Sequence, residues 1–434
     1  MVLLFCILLF VLGFVIYRMY DQYIFHYLLI WICFGPILIN FVYTITEEEY
    51  YKVITWALYT TYALSFLDII RNGLGDKNLR IAIIGILSLI FYYVSLSFFR
   101  GTSFIESLKY ITGNLGFLIS LLILSNKECD LQSLLKLIKG IVYLELFLAI
   151  FQPFTDLLNF HAALNGDEVM TAMVNGTFVR NNVFVEFLTP LVMIMVYFDC
   201  QMSQRVLPQT IMVVLLSLFV TYNSGAKTAF VAILPILIYL FYHFLGNYFE
   251  SKKGRIFAML FFAFCMYSMY TFVRNLADET GITYSQNATD STERQAVLLS
   301  MLNDDSYAEE QTTLGLSFVV LSSFSENPLL GPGKLLQSGG YGGFISKEDA
   351  NITDATLAIF LCETGLIGLF ILWWIYKRIL CDFGQRHPLP ILIFVYLVLI
   401  TITDPGIFFM GNILSLFIAI LLVNSFFNIE VSEL

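Results

Sequence analysis

Residues 175–199 read NGTFVRNNVFVEFLTPLVMIMVYFD, a polar turn with one arginine that runs straight into an apolar stretch. Between 183 and 198 the only charged residue is Glu186. A run of this kind is read as a membrane helix, since a ~30 Å hydrocarbon layer takes about 20 helical residues to cross. Similar runs occur at roughly 1–17, 24–43, 52–70, 80–98, 108–125 and 138–157 before it. After it they recur at 207–222, 228–246, 256–273, 354–376, 389–403 and 408–427. They are too long for barrel strands, and lipid admits only helices or closed barrels. The expectation is an all-α polytopic membrane protein of about 13 transmembrane helices, with a large extracytoplasmic loop before the eleventh.

Composition agrees with an apolar solvent. The chain is 58% hydrophobic, contains 42 Phe and is 13% charged, with a mean hydropathy of +0.79. A net charge of -10 argues against nucleic acid as a partner, because that binding needs a basic footprint. The seven cysteines form no CxxC pair and avoid the long loops, so no disulfide frame or cysteine metal site is expected. Met1 opens the first apolar run without a basic leader or small-residue cleavage site, so that run reads as a retained helix.

Lysine and arginine set the expected orientation. With Met1 outside, 14 of the 23 basic residues fall in short cytoplasmic turns. Arg71, Lys77 and Arg80 form one such group, and Lys377, Arg378 and Arg386 another. The domains then read as 1–273, ten helices with an outer loop at 158–182; 274–353, an extracytoplasmic loop; and 354–434, the last three helices. Within the large loop, DSTERQAVLLSML (290–302) has a capping-box start and an apolar face shared by Arg294, Val297, Leu298 and Met301. A short apolar stretch near 313–325 is expected to lie at the interface, and NPLLGPGKLLQSGGYGGF after it is a glycine-rich turn region.

Three cations stand on the side where basic residues are scarce: Arg180, Lys227 and Arg294. Arg180 precedes Asn181 and Asn182 at the mouth of a helix. A guanidinium there can hold diphosphate oxygens, with the asparagines orienting sugar hydroxyls or capping the helix. The competing reading is an arginine snorkelling to headgroup phosphates. Lys227 lies beyond Ser224 and Gly225 at the start of a helix, where a cation opposes the dipole unless a phosphate or a carboxylate compensates. Arg294 could instead be balanced by Asp290 and Glu293.

Carboxylates at membrane depth are costly and usually have a task. Asp68 and Glu145 read as structural, paired with Lys or Tyr. Glu186 lies two turns inside the outer face and reads as an orienting group. Asp354 at the outer lip is the candidate base for an acceptor hydroxyl, the alternative being a helix cap. Glu363 faces the other way on a straight helix and reads as a packing contact. His161, in the first outer loop, is the one histidine placed to act there; it has no second ligand nearby, so no metal site is expected.

Four segments carry a family resemblance: NGTFVRNN (175–182), SGAKTAF (224–230), the Arg294 helix followed by ENPLLGPG (326–333), and ITDATLAIFLCETGLIGLF (352–370). Over roughly 170–370 the chain resembles the O-antigen polymerase and O-antigen ligase superfamily of bacterial membrane glycosyltransferases. The resemblance implies transfer of glycan from an undecaprenyl-diphosphate carrier at the outer leaflet of the bacterial inner membrane, with no cofactor or metal. It implies that Arg180 and Arg294 engage the carrier diphosphate, with Lys227 where an arginine is commoner. Asp354, Arg294 and His161 become the expected catalytic residues. The ligase branch usually opens the helix after the loop with His–Asn; Thr353–Asp354 stands here instead, which favours polymerisation of O-antigen or capsular repeat units. The expected partners are a lipid-linked glycan donor and acceptor, membrane lipids, and a chain-length regulator and flippase of the same pathway. The alternatives are a ligase and, from a different class, a membrane transporter of lipid-linked sugar or anionic solute.

Overall fold

In the computed structural model the described residues are 2–42, 47–101, 104–125, 129–152, 174, 176–178, 181–203, 208–224, 256, 327–331, 356–384, 387–401 and 410–432. They form eleven α-helices and no strand. These are α1 (Val2–Met19), α2 (Ile24–Val42), α3 (Glu47–Asn72), α4 (Lys77–Phe99), α5 (Phe104–Leu124) and α6 (Leu131–Phe151). The others are α7 (Asn181–Ser203), α8 (Pro208–Asn223), α9 (Thr356–Arg378), α10 (Pro388–Ile400) and α11 (Met410–Ser432).

Local chemistry sets the boundaries. Gly73, at φ 68°, follows α3 in the left-handed conformation that glycine adopts without strain. Asp76 then caps α4, its carboxylate accepting from Asn78 N (3.2 Å) and Leu79 N (3.1 Å). Pro388 opens α10, where its missing N–H costs nothing. Pro190 falls inside α7, where it has no N–H to add to the helical bonding.

Two compact units divide the chain: Met1–Leu134 with Glu309–Leu434, and Leu135–Ala308. In the first, α5 packs against α3 and α4, α1 against α3, α9 against α4, and α10 against α11. Buried polar pairs lie between these helices. Tyr17 donates to Asp68 at 2.8 Å, and Ser65 donates to Ser120 at 3.0 Å. In the second unit α7 and α8 pack together, and α7 is buried along nearly all its length.

Among the described residues three helices are long and apolar enough to cross a membrane: Val2–Met19, Lys77–Phe99 and Val183–Met202. The exposed side of α4 is greasy, with Ile84, Leu87 and Phe91 three and four residues apart. Phe91 is 75% exposed and Phe99 84%, surface that water would not tolerate in a stripe and that lipid covers. The chain is a multi-pass membrane protein.

The expected architecture of about 13 transmembrane helices is corrected. Among the described residues three helices qualify as spans, and the other apolar stretches, Leu115–Leu124 of α5, Gln209–Thr221 of α8, Pro388–Ile400 of α10 and Met410–Phe426 of α11, are shorter. An apolar run in the sequence does not guarantee one long apolar helix. α3 begins with three glutamates and carries Lys52, α6 holds Lys136, Lys139 and Glu145, α10 has 13 residues, and α9 is broken at Gly365.

Candidate functional site

Two buried polar clusters, one in each unit, fix the chain where its backbone leaves regular structure. In the Leu135–Ala308 unit the cluster seats the start of α7. Gln152, one residue past α6, brackets Gly176: its Nε2 donates to the Gly176 carbonyl (2.7 Å), and Gly176 N donates to its Oε1 (2.8 Å). Thr177 donates twice to Glu145, from its backbone N to Oε2 (3.0 Å) and from its hydroxyl to Oε1. Gly176 has φ 56°, and a Cβ there would lie 2.3 Å from Glu145 Oε2 and 2.4 Å from the Phe184 ring. Phe178 packs on Phe187, with ring centroids 5.3 Å apart. The turn Gly176–Phe178 is therefore folded inward, and α7 starts three residues after Phe178.

The connections of this unit set which helix ends lie together. Lys139, in the third turn of α6, pairs with Asp199 near the end of α7 at 2.5 Å. Gln152, past the other end of α6, meets the turn before α7, so α6 and α7 are antiparallel. Thr210, third in α8, donates to Asp199 at 3.5 Å across a connection of four residues, the mark of a helical hairpin. The end of α6, the start of α7 and the end of α8 thus share one end of the unit.

The second cluster lies at the break in α9. Gly365 has φ 67° and ψ -167°, which interrupts the helical bonding and leaves carbonyls and amides on both sides in need of partners. The turn Asn327–Gly331 supplies two acceptors: Leu366 N donates to the Pro328 carbonyl (2.9 Å) and Ile367 N to the Leu329 carbonyl (3.3 Å). The orphaned carbonyls are met from α4 and from Arg100, the residue that caps its end. Arg100 Nη1 donates to the Glu363 carbonyl (2.8 Å), and the Tyr92 hydroxyl to the Thr364 carbonyl (2.8 Å). Arg100 Nη2 also donates to the Leu330 carbonyl (2.7 Å) and to that of Gly331. Tyr93 donates to Glu363 Oε2 at 3.1 Å. Arg100 is half-buried, and desolvation pulls its pKa below the usual arginine range while Tyr92 and Glu363 oppose the shift. It stays charged, since guanidinium is not deprotonated in proteins.

Sequence reasoning anticipated Asp68, Glu145 and Glu363 as structural acids, but not the break in α9 or the role of Arg100. A signal was present: Glu-Thr-Gly inside an apolar run, with Pro-Leu-Leu-Gly upstream to fill the gap. Of the sequence-predicted site residues, Glu186 is buried inside α7, and Asn181 and Asn182 are its first two residues. Arg180, Lys227, Arg294, His161 and Asp354 lie outside the described residues, as does the helix expected at 291–302.

The chain matches no protein-family model, no curated protein and no solved structure. Membership of the O-antigen polymerase and ligase superfamily is corrected on this ground and on the architecture. Three spanning helices among the described residues do not make the many-pass enzyme that polymerisation or ligation of lipid-linked glycan requires. The described residues also show no sheet and no group of three or more His, Cys, Asp or Glu able to hold a metal, so no catalytic signature supports a membrane glycosyltransferase. The association with lipopolysaccharide or capsule biosynthesis falls with it.

Proposed function

We propose that this multi-pass membrane protein binds the phosphates of a diphosphate-bearing lipid at one end of its Leu135–Ala308 unit, through Arg180, Lys227 and Arg294. No transfer reaction belongs to this reading. Its main support is the antiparallel course of α6, α7 and α8, which gathers the end of α6, the start of α7 and the end of α8. Arg180 immediately precedes α7, and Lys227 follows the last residue of α8 by four positions. Four residues of chain reach at most about 14 Å, so both cations are tethered to the same end of the unit. The Glu145–Thr177 and Gln152–Gly176 contacts give the arginine a fixed base, and preorganisation is what a bidentate phosphate grip requires. Asn181 and Asn182 add hydrogen-bonding side chains for the polar headgroup.

The membrane in this proposal is a bacterial cell membrane, with the binding end extracytoplasmic. The support is the excess of Lys and Arg in the turns at the opposite helix ends, among them Lys136 and Lys139 of α6. An undecaprenyl-diphosphate-linked glycan belongs to the ligand class.

Native mass spectrometry of the purified full chain, offered a polyprenyl diphosphate and the polyprenol of equal length, tests the reading. Preferential retention of the diphosphate, on the order of tenfold, is expected, along with its loss in the Arg180→Gln, Lys227→Gln, Arg294→Gln triple variant. Equal retention of the two lipids, or a triple variant that binds like the parent, rules the reading out.

A further inference from the structure

The cytoplasmic-type end of α9 holds a feature that the diphosphate site does not use. Lys377, Arg378, Trp374, Cys381 and Asp382 line a cleft of about 190 Å³. The helix passes there into a π-helical turn, Ile379–Phe383, an irregularity frequent at functional sites. Two cations lie over two indoles: Lys377 Nζ is 4.8 Å from the Trp373 ring centre, and the Arg378 guanidinium carbon is 5.6 Å from that of Trp374. Trp374 is itself held against α4, where Gly85 leaves room for it; a Cβ on Gly85 would lie 2.4 Å from the ring. Arg378 pairs with Asp382 at 3.3 Å, so the three charges leave the cleft one positive unit in excess.

An apolar track leads into this cleft. Leu366 (45% exposed), Phe370 (63%) and Trp373 (49%) recur at helical spacing on the exposed side of α9, and Lys377 continues the row one turn on. From Leu366 to Lys377 the helix rises ~16 Å, close to the ~15 Å half-thickness of a bilayer. Trp373 and Trp374 stand at the end of the track, and indoles are enriched where a bilayer's hydrocarbon gives way to headgroups. A cationic cleft one leaflet away from the start of an exposed apolar stripe has the dimensions of a phospholipid.

We propose that this cleft binds the headgroup phosphate of an anionic phospholipid, whose acyl chain lies along Leu366, Phe370 and Trp373. The single excess positive charge matches one phosphodiester. The bland alternative is that Lys377 and Arg378 merely complement the helix C-terminus, which every basic last turn does. It leaves the cleft and the exposed track without a role. In the orientation proposed above the lipid belongs to the cytoplasmic leaflet, but the site itself does not depend on Arg180, Lys227 or Arg294.

Native mass spectrometry of the full chain with phosphatidylglycerol or phosphatidylcholine of the same acyl chains decides the matter. Phosphatidylglycerol is expected to be retained about fivefold better, the value of one cation near a membrane surface. Lys377→Gln, an exposed position whose loss spares the fold, is expected to bring retention to the phosphatidylcholine level. Asp382→Asn removes the competing carboxylate and is expected to raise phosphatidylglycerol retention. Equal retention of both lipids by the parent overturns the proposal, as does an unaffected Lys377→Gln. Displacement of the lipid by millimolar inorganic phosphate would make this a free-anion site and overturn it too. The Arg180, Lys227, Arg294 triple variant is expected to keep its phosphatidylglycerol, so failure of one proposal is distinguishable from failure of the other.

Discussion

Glu145 and Glu363 are both 1% exposed, and both belong to clusters built around a glycine with positive φ. The backbone at the two places is satisfied by different chemistry. At Gly176 a neutral amide, Gln152, returns one donor and one acceptor to the same residue, and the carboxylate of Glu145 takes two bonds from Thr177. At Gly365 a cation, Arg100, gathers three carbonyls from two chain segments, while backbone amides of the helix reach a separate turn. A turn outside a helix exposes few groups and a neutral side chain completes it. A break within a helix orphans several carbonyls at once: Arg100 serves that of Glu363 and Tyr92 that of Thr364, while the remaining donors of the guanidinium fasten the turn that fills the gap. The Gly365 cluster therefore depends on single residues far more than the Gly176 cluster does.

The glycines themselves offer the sharpest way to break the comparison. Gly365 combines φ 67° with ψ -167°, a region open to glycine almost alone, and a Cβ there would lie 2.2 Å from the Leu329 carbonyl oxygen and 2.4 Å from its carbon. Backbone cannot step aside without breaking the Leu366 and Ile367 bonds. Gly176 would instead press a Cβ on the far end of the Glu145 side chain and on the Phe184 ring, which can shift. Gly365→Ala should cost about 3 kcal/mol or more, and Gly176→Ala about 1–2 kcal/mol, from strain and disturbed hydrogen bonds. Thermal unfolding of both variants in the same detergent checks the order. Equal losses would mean that the break at Gly365 is not a fixed feature of the fold.

Arg100 sharpens the same contrast. Arg100→Met removes the donors of three carbonyls but retains a long apolar stem against α9; the exposed Leu330 carbonyl can turn to solvent, while each of the part-buried Glu363 and Gly331 carbonyls left bare costs roughly 1 kcal/mol or more. A loss of about 2–4 kcal/mol is expected. Arg100→Lys keeps the charge without the planar fork and should recover less than half of it. Chemical denaturation of the three proteins measures this directly. A lysine variant as stable as the parent would show that charge alone, by way of Glu363, holds the turn at Asn327–Gly331, and that the geometry of the fork is incidental.

How much of this was legible in the sequence depends on what a side chain announces. Helical character and a membrane setting follow from the apolar runs, and Asp68 was read as a structural acid before Tyr17 was seen to donate to it. The NGTFVRNN segment stands out in the sequence for Arg180 and its asparagines, but nothing in it announces that Gly176, Thr177 and Phe178 are fixed and buried. Span counting failed because hydropathy averages side chains and is blind to the backbone: the stretch 354–376 reads as one apolar run, yet Gly365 divides α9. The run at 52–70 leaves out the three glutamates with which α3 begins, and that at 138–157 leaves out Lys136, so each apolar stretch is part of a longer and more polar helix. The role of Arg100 is silent in the sequence, because nothing in its neighbourhood Phe98-Phe99-Arg100-Gly101 announces partners more than 200 residues away.

The smallest expected effect concerns Glu145. Its two oxygens each accept one bond from Thr177, so Glu145→Gln keeps the size and one acceptor but turns the other oxygen into a donor facing the Thr177 N–H or hydroxyl. The hydroxyl can rotate to become an acceptor, whereas the backbone amide cannot. If the new amide places its oxygen toward the amide and its nitrogen toward the hydroxyl, both bonds survive as neutral ones, and neutral bonds are about half as strong as charge-assisted ones. The expected cost is about 1 kcal/mol, below that of any change at Gly365 or Arg100. Glu145→Leu removes both acceptors at similar volume, and the stranded Thr177 amide should raise the loss to about 2–3 kcal/mol. Hydrogen exchange at the Thr177 amide gives a local readout beside global unfolding: it should quicken in Glu145→Leu and stay slow in Glu145→Gln. Exchange that is fast already in the parent would mean that the Glu145–Thr177 contact does not hold the turn Gly176–Phe178, and the fixed base assigned to Arg180 would be lost with it.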